Sequence, residues 1–300
     1  MQIPHVPVLY NETLDAFSDI KEDYIIDCTT GFGGHSTGLL EQNETVNLIC
    51  NDQDDEALAF CAKRLEPFSS RVTFNKGNFE HVIDNFKDYN IRGVLADIGV
   101  SSLQLDKLER GFGFESETLD MRMNQNQSLD ASIVVNTYSQ SELERVFKEC
   151  GEVREYKKVA SLIVNNRPFT SAKQIAELLS RKMSKGKIHP ATLPFQGIRI
   201  EVNDELGVLK RLFDSLASAK LENCIVAIIS FHSLEDRIVK NYFKKWTKSC
   251  ICPPEAFRCE CGNDHALGKV LTKKPIIPTK EEIKQNPRSR SSKLRIFKFD

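Results

Sequence analysis

The sequence predicts an α/β protein: a largely parallel sheet with crossover helices, interrupted by a helical insertion. Three observations point to that class. From Tyr24 to about Val100, short apolar runs ending in acids, asparagine or glycine alternate with helical patterns. Between about Leu105 and Ala219 the alternation stops and helical patterns dominate. Strand character then resumes at Cys224–Ser230.

The first run, Tyr24-Ile25-Ile26, ends in Asp27 and breaks into a turn carrying Gly31, Gly33 and Gly34 before a helix-forming segment. The second, Val46–Cys50, closes in Asn51-Asp52, and Asp54–Leu65 follows as an amphipathic helix with Leu58, Cys61, Ala62 and Leu65 on one face. Val72-Thr73-Phe74 leads into Gly77-Asn78-Phe79, and Gly93–Asp97 into Ile98-Gly99. In the insertion, Ser139-x-x-Glu142 and Ser171-x-x-Gln174 are capping-box starts that open Ser141–Cys150 and Ala172–Met183. Arg167-Pro168 ends a helix that begins near Gly151. Glu205–Ala219 carries an apolar stripe of Leu206, Leu209, Leu212, Phe213 and Leu216. Cys224–Ser230 reads as a buried strand, Leu234–Trp246 as a helix with a cationic end, and Lys269–Thr272 with Leu294–Phe299 as a closing pair of strands. The implied organisation is a first sheet portion over 1–104, a helical insertion over 105–219, and a second sheet portion over 220–300 with a basic end.

Ligands of open parallel sheets sit beyond the carboxyl ends of the strands, and four successive strand ends here carry suitable groups. Strand, acid, glycine turn and helix N-terminus together make a nucleotide-type cofactor site. A dinucleotide fingerprint wants a third glycine or alanine where this chain has Ser36. A carboxylate at Asp27 is also ill-placed beside a pyrophosphate, but well placed for the ammonium of a methionine moiety. The first turn therefore favours S-adenosylmethionine over NAD. Asp52, an acid at the second strand end about 20 residues past the glycines, suits ribose hydroxyls in either class.

With 300 residues the chain can bury a large core. No apolar run approaches the ~20 residues of a membrane span, and MQIPHVPVLYNETL has no signal-peptide pattern. Nine cysteines without a secretion signal imply reduced thiols and a cytoplasmic location. The net charge is only −1, but residues 237–300 hold sixteen Lys/Arg against six Asp/Glu. That surplus of ten cations suggests a phosphate-facing surface near the C-terminus. Cys250-Ile251-Cys252 and Cys259-Glu260-Cys261, with Pro253, Pro254 and Gly262 nearby, are two C-x-C pairs. Their four thiolates could bind one tetrahedral zinc, although the x-x spacing of ordinary zinc ribbons is missing, and no metal ligand is assigned.

Taken in order, a set of longer segments resembles the bacterial RsmH (formerly MraW) family, the 16S ribosomal RNA cytosine-N4-methyltransferases. The segments are HVPVL at His5–Leu9, DCTTGFGGHS at Asp27–Ser36 and LADIGVSSLQLD at Leu95–Asp106. The insertion adds RGFGF at Arg110–Phe114, LDMRMN at Leu119–Asn124 and LPFQGIRIEVNDEL at Leu193–Leu206. The last third adds SFHSLEDRIVK at Ser230–Lys240 and NPRSRSSKLR at Asn286–Arg295. Asn124 departs from the acid that many members carry there, and Gly197 from the usual alanine.

The resemblance implies a Rossmann-like S-adenosylmethionine-dependent methyltransferase sheet with an inserted helical recognition domain. It implies methylation of the exocyclic amine of cytosine 1402 of 16S rRNA, in the decoding centre of the small ribosomal subunit. By motif matching, the cofactor contacts fall on Gly33, Gly34, His35, Asp52, Phe79, Asp97 and Gln104. The family's Cys250–Cys261 segment varies and has cysteine-free members, which makes a metal dispensable for catalysis. No membrane partner is implied, and oligomeric state is left open, a dimer included.

Cytosine N4 is a poor nucleophile because its lone pair is drawn into the ring. Hydrogen-bond acceptors aimed at its two N–H bonds return electron density as the methyl transfers. Amino-methyltransferases acting on DNA often use a D/N/S-P-P-Y/F/W turn for this. Here the equivalent turn, Asp97-Ile98-Gly99-Val100-Ser101-Ser102, has neither prolines nor an aromatic, so Asp97 with nearby carbonyls is the candidate acceptor. His232 is expected to face the same cleft, as a base or phosphate contact or as a structural histidine. For RNA, Arg288, Arg290, Lys293 and Arg295 offer phosphate contacts. Arg110, Arg122 and Arg199 are further candidates, interleaved with Phe112, Phe114, Met121 and Phe195. A dehydrogenase on the same scaffold is disfavoured by Ser36 and Asp27. A non-catalytic RNA-binding ribosome-assembly factor on this fold is the alternative from another class.

Overall fold

The computed structural model describes residues 7–184, 186, 188–253 and 255–300; His5 and Val6 of the HVPVL segment and Pro254 beside the cysteine pairs lie outside the described residues. The chain divides into two compact units, one made of Met1–Gly99 and Gly207–Asp300, the other of Val100–Leu206.

The first unit is a seven-stranded sheet whose strands lie in the order β3 (Val72–Lys76), β2 (Asn47–Asp52), β1 (Tyr24–Asp27), β4 (Ile91–Asp97), β5 (Ile225–Ser230), β7 (Lys293–Phe299) and β6 (Gly268–Val270). In its first half, α1 (Tyr10–Phe17) precedes β1 (Tyr24–Asp27), α2 (Gly34–Gln42), β2 (Asn47–Asp52), α3 (Asp55–Arg64), β3 (Val72–Lys76), α4 (Val82–Asn85) and β4 (Ile91–Asp97). These strands pair in parallel, as does β4 with β5 (Ile225–Ser230). Asp27 pairs with Cys50 on one side and Leu95 on the other. Both neighbours run two residues further, ending in Asp52 and Asp97. The register therefore carries two carboxylates about 7 Å beyond the level of Asp27, one on each side of β1.

Successive residues of the central strands point to opposite faces, and both faces are covered. Ile26, Ile49, Val94, Val226 and Ile228 belong to one core. Ile25, Leu48, Cys50, Leu95 and Ala227 belong to the other, with Phe17 from α1 and Leu39 and Leu40 from α2. Such near-continuous apolar strands are what a two-sided parallel sheet demands.

The second unit is helical among its described residues, with α5 (Ser102–Asp106), α6 (Ala131–Thr137), α7 (Gln140–Arg145), α8 (Tyr156–Asn165), α9 (Ala172–Lys182) and α10 (Thr192–Asn203). Helix α7 opens on the expected capping box, Ser139 with Glu142, and passes into a π-helical turn at Val146–Cys150. Its core gathers Val134, Phe147, Val159, Ile163, Ile175, Leu179 and Ile198. At Gly197, a Cβ would lie 3.1 Å from Gly151 N and 3.2 Å from Val146 O. Glycine there lets α10 run close against the π-helical turn, where an alanine methyl would need a shift of a few tenths of an ångström.

Returning to the first unit, α11 (Glu205–Ser218) leads into β5, followed by α12 (Ser233–Trp246), β6 (Gly268–Val270), α13 (Lys280–Gln285) and β7 (Lys293–Phe299). Strand β7 lies antiparallel between β5 and β6. The insertion was expected to end at 219, but the unit boundary falls at Leu206. Leu209, Leu212, Phe213 and Leu216 of α11 cover the sheet and belong to its core, so α11 is the crossover helix into β5. The first boundary likewise falls at Val100, not after residue 104. No described helix is long and apolar enough to cross a membrane.

Candidate functional site

The carboxyl ends of β1 to β4 build one frame. Gly33, at φ +72°, caps α2 in the left-handed region, and Gly31 sits at φ +50°. Gly31 N–H donates to Asp52 Oδ2 at 2.9 Å, and Asp54 N–H donates to Asp52 Oδ1 at 2.9 Å. Burial raises the Asp52 carboxyl to about 6, even against those two bonds. Asn51 Nδ2 donates to Cys28 O at 2.8 Å and to Gly77 O at 3.2 Å, while its Oδ1 accepts from Asn75. On the other flank, Asp97 N–H donates to Thr29 Oγ1 at 2.8 Å. Thr29 and Asn51 thus fasten the strand ends to each other. Sequence inspection passed over both, although a polar residue closing an otherwise apolar β2 was a visible sign.

Asp27 does not face this rim. It is 2% exposed, its Oδ2 accepts from Ser36 Oγ at 2.6 Å, and Ser36 Oγ lies 2.6 Å from Thr30 Oγ1. The expectation that Asp27 holds an ammonium group is corrected: two residues short of Asp52 and Asp97, it sits inside the body of the sheet. Burial raises its carboxyl, with the Ser36 bond acting in the opposite sense.

The glycines divide in their reasons. A Cβ on Gly33 would meet Cys61 Sγ at 2.8 Å, and one on Gly34 would meet Pro7 Cγ at 2.5 Å. Those two are glycine because the chain packs against itself there. A Cβ on Gly31 would find only Thr29 O, at 3.9 Å, so the open space lies beside Gly31.

His35 and Asp97 are brought together. The ring is 6% exposed, stacks near Tyr10 at 6.1 Å between centroids, and places Nε2 3.6 Å from Asp97 Oδ2. Neither ring nitrogen has a hydrogen-bond partner, and Asp97 Oδ1 has none either. Phe79 follows the β3 end half-buried, as the first residue of a short 3-10 turn. Acceptors at Asp52 and Asp97, orphaned nitrogens at His35, an apolar ring at Phe79 and open space beside Gly31 fit a nucleoside joined to an amino acid. The residues present therefore suit S-adenosylmethionine. Gln104 belongs to the helical unit, where it is 5% exposed. Its Oε1 accepts from Ser101 N–H, and its own N–H donates to Ser101 Oγ.

His232 caps a helix through Nδ1, while its buried Nε2 has no hydrogen-bond partner. It is the N-cap of α12, with Nδ1 accepting from Glu235 N–H at 3.4 Å and Nε2 3.0 Å from Glu235 Oε1. Glu235 Oε2 accepts from the backbone of Phe231 and His232, completing a capping box.

The basic candidates separate as sharply. Arg288 and Arg290 lie exposed on a 3-10 turn. Arg295 is corrected: it is 8% exposed, because β7 is inside the sheet, and its Nε donates to Asp236 Oδ1 at 2.6 Å. Lys293 donates to the other oxygen of Asp236 at 3.1 Å. In the helical unit, Arg110 is 4% exposed and donates to the carbonyls of Arg122 and Met123. Arg122 binds Asp120 through two nitrogens, and Arg199 binds Glu205 in the same way. Phe112, Met121 and Phe195 are core residues there. Arg110 and those rings are buried and fold the unit, while Arg122 and Arg199 are partly exposed and ion-paired within it.

A Rossmann-like sheet with a glycine turn and acids at its second and fourth strand ends defines the class: an α/β protein built to hold a nucleoside cofactor at its strand ends. Residues 2–300 match the MraW methylase family, and the chain belongs to that family. It is 81% identical, over the full length of both chains, to a ribosomal RNA small subunit methyltransferase H from Aliarcobacter butzleri. The protein of that name from Sulfurimonas denitrificans is 58% identical over 99% of this chain and 98% of its own. The one from Wolinella succinogenes is 55% identical over 100% and 99%.

Proposed function

We propose that this chain methylates the N4 amine of a cytosine in small-subunit ribosomal RNA, position 1402 by resemblance to the RsmH family, with S-adenosylmethionine as donor. The observation that carries this assignment is Asp97: a carboxylate at the β4 end, held by its backbone to Thr29, with one oxygen left without a partner.

S-adenosylmethionine supplies a methyl group already made electrophilic by its sulfonium centre. Gly31, His35, Asp52, Phe79 and Asp97 hold it, Asp52 through the ribose hydroxyls. What the protein adds is position and a polar environment fixed in advance. Asp97 accepts a hydrogen bond from the cytosine amine, which keeps the N4 lone pair available as the new bond to carbon forms. One amine proton must then leave, and the Asp97 carboxylate is its first acceptor. An amine inside a duplex cannot be reached, so the cytosine is presented unpaired or flipped out. Arg288 and Arg290 contribute phosphate contacts that position the RNA.

Small ribosomal subunits from cells lacking the gene, incubated with the purified chain and labelled S-adenosylmethionine, are the test. Mass mapping is expected to place one added methyl on N4 of a single cytosine. Tight cofactor binding without any methyl transfer would favour the assembly-factor alternative instead.

A further inference from the structure

We propose that Cys250, Cys252, Cys259 and Cys261 form a closed tetrahedral site for one zinc ion, which holds together the segment between α12 and β6. The four sulfurs all lie within 4.8 Å of one another. Cys250 and Cys259 are 3.5 Å apart, Cys259 and Cys261 3.6 Å, and Cys250 and Cys261 3.7 Å. Thiolates about 2.3 Å from a common zinc are spaced about 3.8 Å along the edges of a tetrahedron. A disulfide requires about 2.05 Å between sulfurs. A [4Fe–4S] cluster binds each thiolate to a different iron and a [2Fe–2S] cluster divides the four between two irons, so either spreads the sulfurs over a wider cage. The spacing therefore selects a single metal ion.

The backbone around the sulfurs supports the same assignment. Ile251, between the first two cysteines, donates its N–H to Cys261 Sγ at 3.4 Å. Glu260, between the second two, donates its N–H to Cys252 Sγ at 3.3 Å. Each C-x-C turn thus offers a donor to a sulfur of the other turn. Such outer contacts offset thiolate charge and orient metal ligands. The single-residue spacer, which departs from zinc ribbons, is what allows this reciprocal clasp. Gly262 at φ +88° and Asn263 at φ +61° then turn the chain away.

Little else among the described residues of the segment orders it. Among its described residues there is no helix or strand between Trp246 and Gly268. Ile251 is 62% exposed and Phe257 fully exposed, so no apolar cluster forms there. Its base is closed by Leu267 N–H to Trp246 O at 2.8 Å and His265 N–H to Ser249 O at 3.0 Å. A stretch this short without a core needs a staple. Four soft thiolates with no open position favour a structural zinc.

Elemental analysis of the full chain, purified under reducing conditions without chelator and reloaded with zinc chloride, tests the proposal. About one zinc per chain is expected, with less than a tenth of that in Cys259→Ser/Cys261→Ser and a full complement in Cys150→Ala. Should the double variant fail to fold, cobalt loading of the wild-type chain is decisive. Intense tetrahedral d–d bands with thiolate charge transfer are expected. A chain that stays metal-free after reloading, carries iron, gives an octahedral cobalt spectrum, or binds zinc equally in the folded double variant would overturn the site.

Discussion

Ser36 Oγ donates to Asp27 Oδ2 at 2.6 Å, locking the start of α2 to the end of β1 in the sheet interior. The residue that breaks a dinucleotide fingerprint is thus the partner of the acid before the turn. Ser36→Ala leaves a buried carboxylate oxygen short of a donor, and is expected to cost ~1–3 kcal/mol of unfolding free energy in a denaturant titration.

Asp97 separates chemistry from folding. Asp97→Asn keeps the shape of the side chain but loses its basicity and its charge. Asp97→Ala loses the acceptor altogether. Both are expected to lower the single-turnover methyl-transfer rate by roughly 100-fold or more, the scale seen when one aligned polar group is removed. Near-normal rates for both would remove the residue from the reaction.

Asp52 sets a pH dependence for cofactor binding. Its carboxyl is raised to about 6, so it is ionised and accepting at neutral pH and protonated below that value. A donor hydroxyl favours the ionised form, so S-adenosylmethionine affinity is expected to fall as pH drops below about 6, by at most about tenfold per pH unit for one group. Calorimetry at pH 5 and 7.5 checks this, and Asp52→Asn is expected to bind weakly at both. For folding alone the sign is opposite. A raised carboxyl contributes stability fully present below its unfolded value of 3.8, and that contribution is lost as pH rises through 6.

The C-terminal cations are expected to give two distinct phenotypes. Arg288→Ala with Arg290→Ala should weaken RNA binding and reduce the salt slope by about 1.4 if both contact single-stranded phosphates. Asp236→Ala should act on folding, because it leaves Lys293 and the buried Arg295 without their shared carboxylate, a loss of ~1–3 kcal/mol for a part-buried, charge-assisted network. Burial acts to raise the Asp236 carboxyl, but bonds from Arg295 and Lys293 bring it below its usual value. Its contribution is therefore present above about pH 4 and lost in stronger acid. The penalty of the substitution, followed by thermal melts, should shrink accordingly.

The parts of the fold that were legible in the sequence are those written locally. Strand, glycine turn and helix are contiguous from Tyr24 to Gln42, and the capping box at Ser139 spans four residues; at Ser171 only the N-cap half of the expected box forms, Gln174 Oε1 accepting from Thr170 N–H instead. What depends on register was not legible. That Asp27 falls two residues short of Asp52 and Asp97 follows from strand pairing. Helix α11 was misplaced because a crossover helix and an insertion helix carry the same apolar stripe. Arg295 was misread because Leu294–Phe299, although expected as a strand, gives no local sign that it lies between two others in the sheet. Helices α1 and α10 were not anticipated: YNETLDAF is only eight residues long, and TLPFQGIRIEVN mixes polar and apolar residues without a strong period.

Strand β7 reaches Phe299, and Phe297 and Phe299 pack their rings 5.2 and 5.1 Å from Trp246. In chain order β7 follows every other strand of the sheet, so β5 gains its partner on that side only once Lys293–Phe299 has been made. A premature stop ahead of Lys293 would leave the β5 edge bare and prone to pairing with other chains.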